Sequence, residues 1–430
     1  MQSTLLVIGF VFPEPNSSAA GSRMLQLIEA FQSKDYHITF ATTCKKSDNA
    51  FDLESIGVSV AEIELNNSSF DSFIKHLNPT VVMFDRFMTE EQFGWRVDQQ
   101  CPDALKLLDT EDLHFLRKGR QKAFHSNQQV EDDFFTTDTA KRELASIYRS
   151  DLTLVISETE LKLLINTYKV DPALLCYLPF MIASEHCEPH PNCKSFSERQ
   201  DFVALGNFLH PPNLCHTTSK FGGCNFLHPP NLDVVRHLKK DIWPHIRKAL
   251  PEAKLHVYGA YDTPNIKAMH NENQGFLIHG FVDNAFEILN SSRVLLAPLR
   301  FGAGLKGKLI QAMQTGTPCA MSSVAAEGMF GAMKPNGIIQ DTISEFVART
   351  VDLYSNSSEW EVFQNQGFSV LKHRFENTTH QTRFMNRVKL LLTTLETHRS
   401  QNFIGQMLSH HQMQSTKYMA RWIEAKNSML

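Results

Sequence analysis

The feature that most constrains this chain is an alternation of short apolar runs with amphipathic stretches of helix length, which runs its course once, breaks, and starts again. In the first pass the apolar runs fall at residues 5–12, 37–42, 58–63, 80–84, 104–108, 152–156 and 174–178, with helical patterns at 22–33, 90–99, 133–150 and 158–168. Runs rich in Val, Ile and Leu on both faces, separated by helices, predict parallel strands covered by helices on both sides. Residues 183–200, rich in Pro, Glu, His, Asn and Ser, read as a linker. The alternation resumes at 202–205, 254–258, 276–279, 293–298, 318–322 and 337–339, with helices at 233–250, 285–290, 306–315, 342–355, 359–374 and 379–397. The fold class this implies is α/β, with two Rossmann-like, doubly wound domains, 1–182 and 201–400, facing each other across a cleft at the carboxyl ends of their strands. The tail, 401–430, is expected to pack back on the first domain.

With 42% hydrophobic and 20% charged residues the chain has a globular composition, and its net charge of −4 provides no global basic field for nucleic acid or an anionic membrane. An anionic ligand must therefore be held by local positive groups. The first apolar run lacks the basic flank and cleavage site of a signal peptide, and no run approaches the ~18 apolar residues of a membrane span, so a cytoplasmic protein without a transmembrane segment is expected. The eight cysteines are scattered and read as reduced thiols. His210, Cys215, His216, Cys224 and His228, and likewise His186, Cys187, His190 and Cys193, match no zinc spacing, so no metal site is expected. One repeat is exact: the eight residues from Asn207 to Leu214 recur from Asn225 to Leu232. Two copies are too few for a solenoid, and 215–232 is expected to be an exposed insertion.

The chemistry concentrates after the run at 293–298, where Gly302-Ala-Gly-Leu-Lys306 opens a helix that Gly316-Thr-Pro318 stops. Gly302 and Gly304 would let a phosphate approach backbone N–H groups at the helix start. Lys306 and Lys308 add cations where the helix dipole is already positive, an arrangement an anion would stabilise. Gln311 lies on the same helical stripe as Gly304, seven residues on, beside Lys308. The same spacing also fits a plain strand-to-helix turn with two solvated lysines, and spacing alone leaves both readings open. A dinucleotide fold of the Gly-x-Gly-x-x-Gly type is excluded, because Pro13-Glu-Pro-Asn-Ser-Ser-Ala-Ala-Gly21 follows the first run; no Walker A sequence occurs either.

The stretch from Pro298 to Met329, with its Gly-Ala-Gly-x-Lys turn, Gly-Thr-Pro and Ala326-Glu-Gly328, resembles the donor-binding signature of the group 1 (family 4) retaining glycosyltransferases. Gly21-Ser-Arg23 with His37-Ile-Thr39, Asp109-Thr-Glu-Asp-Leu-His-Phe-Leu-Arg117, Leu154-Val-Ile-Ser-Glu158, Leu205-Gly-Asn-Phe-Leu-His-Pro-Pro-Asn213 and His279-Gly-Phe-Val-Asp283 are similar to further signatures of that family, in order along the chain. The resemblance implies the GT-B architecture. It implies a nucleoside-diphosphate sugar held by the second domain, an acceptor held by the first, and retention at the anomeric carbon. It further implies no metal or other cofactor, since helix N-termini and basic side chains would neutralise the departing diphosphate; the sequence contains no Asp-x-Asp.

The roles that follow put Gly302, Gly304, Lys306 and Lys308 at the donor diphosphate, Gln311 and Glu327 at ribose or sugar hydroxyls, and Gly21 and Arg23 on the opposite wall. His114, between Asp112 and Arg117, is the candidate to orient or deprotonate an acceptor hydroxyl, although a structural histidine fits the same position. Asp109 and Asp112 read as turn or cap residues. Two positions depart from the family pattern. Gln311 stands where members carry an acidic ribose contact, and Ala303 stands where many carry a partner glutamate. These departures raise a second reading, a catalytically weakened nucleotide-sugar-binding or interaction protein on the same scaffold. A third, an epimerase or phosphorylase, lacks support, because phosphorylases are longer and no pyridoxal lysine is recognisable.

Overall fold

The computed structural model describes residues 3–127, 136–208 and 229–428. The first sheet is built from β1 (Thr4–Gly9), β2 (His37–Thr42), β3 (Ser59–Glu62), β4 (Val81–Asp85), β5 (Leu105–Asp109), β6 (Leu152–Val155) and β7 (Leu175–Tyr177). Its helices are α1 (Ala19–Gln32), α2 (Ser69–Leu77), α3 (Arg86–Gln100), α4 (His114–Ser126), α5 (Asp138–Arg149) and α6 (Glu158–Asn166). The second sheet holds β8 (Gln200–Leu205), β9 (Leu255–Tyr258), β10 (Phe276–Gly280), β11 (Ser292–Ala297), β12 (Cys319–Met321) and β13 (Gly337–Ile339). Between and after them run α7 (Pro229–His237), α8 (Trp243–Ala249), α9 (Pro264–Lys267), α10 (Ala285–Ser291), α11 (Gly307–Gln314), α12 (Ser323–Ala326), α13 (Ile343–Ser355) and α14 (Ser357–Val370). The chain finishes with α15 (Asn377–Gln401) and α16 (Phe403–Asn427).

Every strand pairing is parallel. β1 shows why the strands are apolar throughout: Leu5 and Val7 enter one core with Leu27, Ile28 and Phe31 of α1, while Leu6 and Ile8 enter another with Phe93 and Val97 of α3. The strand orders are β3-β2-β1-β4-β5-β6-β7 and β10-β9-β8-β11-β12-β13. In the first the winding reverses between β1 and β4, in the second between β8 and β11. A crevice opens where the winding reverses, outside the carboxyl ends of the strands. Both reversals face the same cleft.

The two strands of chain that cross between the halves are tied to each other. Ile182 N donates to Phe375 O at 2.7 Å, and Asn377 N donates to Ile182 O at 2.8 Å. The return to the first half begins at α15, a helix earlier than the boundary expected at 400. Phe384, Val388 and Leu391 form an i, i+4, i+7 stripe in the first domain's core, and the Phe384 ring meets Phe31 at 5.7 Å. α16 then lies along α3 and α5.

Candidate functional site

A cleft of about 510 Å³ separates the halves. The first half supplies the loop after β1 with the start of α1, then Asp85 and Arg86 after β4, and Glu111, Asp112 and Arg117 after β5. The second supplies Gly206, Asn207 and Asn231, the Tyr258–Ala260 and Phe281–Phe286 loops, and the turn from Gly302 to Lys308 with Gln311 behind it. Thus Gly21, Gly302, Gly304, Lys306, Lys308 and Gln311 line one cleft.

The turn between β11 and α11 is shaped by Gly304, whose φ of 65° is left-handed and whose Cβ, if present, would lie 2.9 Å from Asp112 Cβ of the facing domain. Only glycine suits this position. Across the cleft α1 begins at Ala19, with the Ser18 hydroxyl accepting from Gly21 N at 3.0 Å. A Cβ built on Gly307 would stand 2.5 Å from Ala19 Cβ. Two helix N-termini, each the positive end of a dipole, therefore converge on one wall of the cleft.

Two lysines add to that positive field. Lys306 Nζ folds back over the turn and donates to Ala303 O at 2.8 Å and Gly304 O at 2.7 Å. Burial lowers its pKa to about 8, offset in part by Glu327, Glu160 and Asp112. Lys308 Nζ donates to Asn231 Oδ1 at 2.9 Å, and burial together with neighbouring Lys306 lowers its pKa to about 7. These are cations held short of full protonation near neutral pH, which an anion beside them would reverse.

The opposite wall is acidic and contains residues the sequence reading missed. Arg86, at a left-handed φ of 67°, stacks over Phe10 at 5.2 Å and reaches Asp85 at 3.5 Å. Glu111 has a φ of 61°, and burial with Asp109 and Asp85 pushes its carboxyl up to about 8 against the pull of Arg86 and Arg23. A carboxyl raised in this way holds its proton to higher pH than a free one and, while protonated, can donate a hydrogen bond into the cleft. It sits inside the Asp109–Arg117 segment, but nothing local in that segment signals a left-handed backbone.

Several expected roles are corrected. Arg23 does not reach the cleft: its Nε and Nη2 donate to Asp109 Oδ1 at 3.0 and 2.8 Å, its Nη1 to Leu178 O at 2.7 Å, and it is 1% exposed. Asp109 is thus a buried ion-pair partner and not a cap. His114 is likewise not on the cleft wall; it packs edge-on against Phe87 at 5.5 Å, with Nε2 3.7 Å from Asp112 Oδ1. Asp112 does not cap α4 either, since it accepts from Arg117 at 2.6 Å. The first N–H groups of α4 are instead taken by Glu143, which accepts from His114 N at 3.0 Å and Phe115 N at 2.9 Å. Burial raises Glu143 to about 8.

The Gly304 N–H, expected to face phosphate, donates to Glu160 Oε1 of the facing domain at 2.8 Å, and the same oxygen accepts from Leu113 N at 3.2 Å. Glu327 lies behind the turn, where Arg120 of α4 grips it with bonds of 2.7 and 2.8 Å while donating to Gly302 O at 2.9 Å. Arg300 pairs with Asp233 and stacks over Phe124 at 4.6 Å. On the far rim Tyr261 donates to Glu14 at 2.8 Å. The halves are therefore clasped around the glycine-rich turn.

The expected insertion 215–232 lies mostly outside the described residues. Its described end is a correction: Pro230, Asn231 and Leu232 are buried, and Asn231 Nδ2 donates to Asn207 O at 2.7 Å. The second copy of the repeat, and not the first, opens α7 and supplies Asn231 to Lys308. Among the described residues no group of three or more His, Cys, Asp or Glu side chains could hold a metal.

The family model for glycosyl transferases group 1 matches residues 224–356, starting one residue before that second copy and running through α13. No curated protein matches the chain. Solved structures match along almost their whole length. A sucrose-phosphate synthase from Thermosynechococcus elongatus superimposes with a TM-score of 0.66 at 13% identity, over 91% of this chain and 100% of that one. TarM of S. aureus, in a complex that includes UDP, does so at 0.64 and 8% identity over 90% and 99%. HepE of Anabaena in complex with UDP does so at 0.61 and 10% identity over 90% and 100%. At such identities the likeness is one of fold. Residues 224–356 thus match the model for group 1 glycosyl transferases, in a chain whose two facing parallel sheets share the GT-B fold of the solved structures.

Proposed function

We propose that this chain is a glycosyltransferase that moves a sugar from a nucleoside-diphosphate sugar to an acceptor hydroxyl, with retention and without a bound metal. The observation that carries the proposal is the convergence of the α1 and α11 N-termini on Lys306 and Lys308, a positive field built into a cleft between two domains. A diphosphate would lie in the cleft beside the Ala19–Gly307 contact, near the Gly21 and Gly302 backbone, with Gln311 facing the ribose. The acceptor would lie toward Glu111 and Arg86. The UDP complexes of the similarly folded TarM and HepE support such a donor.

In the step itself the anomeric C–O bond to the diphosphate breaks and the acceptor oxygen bonds to the same face of the sugar. The acceptor proton passes to the departing phosphate oxygen. The two helix dipoles and the lysines stabilise the charge that grows on the leaving diphosphate, where fixed dipoles are effective because they need no reorganisation. The test is binding and turnover with a panel of UDP- and GDP-sugars. Lys306→Ala should weaken nucleotide-sugar binding about tenfold or more while the protein stays folded, through loss of a charge-assisted contact. Unchanged affinity at matched salt would remove Lys306 from the site.

A second reading rests on Gln311 and Ala303, which stand where the resembled family carries carboxylates: a protein that binds a nucleotide sugar and turns it over slowly. It is distinguished by tight binding without release of nucleoside diphosphate.

A further inference from the structure

α16 is a 25-residue helix that leaves six bulky apolar side chains exposed. It docks through small and polar groups, with Leu408, Met413 and Ile423 half-buried. Gly405 lies so close to the first domain that a Cβ there would meet Tyr148 O at 2.2 Å. Gln412 Nε2 donates to Glu91 O at 3.1 Å, Ala420 is buried, and the Glu424 carboxylate accepts from Ser68 N at 2.8 Å. On the other side Phe403 is 67% exposed, Met407 46%, Tyr418 58% and Trp422 60%. At 3.6 residues per turn these four fall within an arc of roughly 100°, and Ile404 and Met419, also exposed, widen it.

An apolar stripe of this length on one exposed helix marks an interaction surface, since isolated exposed apolar residues are ordinary but aligned ones are not. Its charge says what it meets. Lys417, Arg421 and Lys426 belong to the last two and a half turns, and the helix carries one acidic residue, Glu424, which is turned inward to Ser68. Aromatic and aliphatic groups bordered by basic residues, on a convex helix and not in a groove, fit the headgroup layer of an anionic bilayer. No helix among the described residues is long and apolar enough to cross a membrane.

We infer that α16 is an interfacial anchor that lays its Phe403–Trp422 face into an anionic membrane surface. The chain's net charge of −4 means that the attraction is local to this helix, not a property of the whole molecule.

The test is flotation of the full chain with vesicles of phosphatidylcholine alone and with about a third phosphatidylglycerol. Binding is expected to the anionic vesicles and to weaken with salt. The fluorescence readout is specific, because Trp95, Trp243 and Trp360 are less than 2% exposed, so a blue shift on binding reports Trp422. Replacing Lys417, Arg421 and Lys426 with Gln should weaken binding about a hundredfold, from roughly fivefold per basic residue. Phe403→Ser with Met407→Ser and Tyr418→Ser should abolish the blue shift without lowering the melting temperature. Absence of binding to anionic vesicles at low salt, or binding that both sets of substitutions leave unchanged, would overturn the proposal. So would a dimer by light scattering that shifts Trp422 emission without lipid, which would assign the face to a second copy.

Discussion

The affinity for a nucleotide sugar should fall steeply between pH 7 and pH 9. Lys308 and Lys306 titrate near 7 and 8 in the free protein, both depressed by burial, and Lys308 also by its neighbour. A diphosphate between them favours the charged forms and raises both values. Binding must then take up protons wherever the free lysines have lost theirs, so affinity declines as pH rises through the free-state values. At pH 7 about half of Lys308 and about nine-tenths of Lys306 carry a proton; at pH 9 these fractions are roughly one in a hundred and one in ten. The product of the two ratios is a loss of up to ~500-fold, or ~3.7 kcal/mol, if both stay protonated in the complex. Lys308→Met removes the larger share and should leave a dependence of only about tenfold. The assay is calorimetric titration with a nucleotide sugar, whose diphosphate keeps a constant charge over this range, in two buffers of different ionisation enthalpy. Proton uptake should rise from about 0.6 at pH 7 to nearly 2 at pH 9. Affinity that is flat from pH 7 to pH 9, or proton release in place of uptake, would refute the assignment of these lysines to the donor.

Arg23→Met should destabilise the fold by about 3–5 kcal/mol in a denaturant titration, because it strands Asp109 at 0% exposure, while donor affinity of the folded protein stays within twofold or so. A stability loss below about 1 kcal/mol would mean that Asp109 finds other partners. Gln311→Glu should tighten donor binding about fivefold, on the order of 1 kcal/mol, through a charge-assisted bond to a ribose hydroxyl. Weaker binding in the Glu variant would make Gln311 an adapted residue and end the weakened-site reading. Deleting 215–232 joins Leu214 to Asp233 and puts the first copy's Pro-Pro-Asn-Leu in the place of the first four residues of α7, so the melting temperature should stay level or rise. An insoluble product would show that the insertion is structural.

The fold was legible because its signals are local. Apolar runs separated by amphipathic stretches have to stack as a parallel sheet between helices, and each run singled out in the sequence is a strand of one of the two sheets. The clustering at the glycine-rich turn was legible for the same reason: Gly304, Lys306, Lys308 and Gln311 lie within eight residues, so one strand-to-helix turn presents them together. What failed depends on partners distant in sequence. Arg23 sits on a helix whose inner face local pattern cannot choose, and its partner Asp109 is 86 positions away. Glu143 caps α4 from α5, a task assigned by position to Asp112. The stripe on α15 announces an amphipathic helix but not which core receives it, so the return to the first domain was placed a helix late. Arg120 gave no signal as one of four Lys and Arg residues in 114–125, yet it joins the two domains at Glu327.

The account's central claim, that a donor diphosphate lies against two converging helix N-termini, is tested most directly by a crystal structure with a non-hydrolysable nucleoside-diphosphate sugar. The diphosphate should lie in the cleft beside the Ala19–Gly307 contact, with its oxygens about 2.7–3.2 Å from Lys306 Nζ, Lys308 Nζ or the N–H groups that open α11. A diphosphate bound elsewhere in the cleft, or a cleft left empty at saturating ligand, would contradict it.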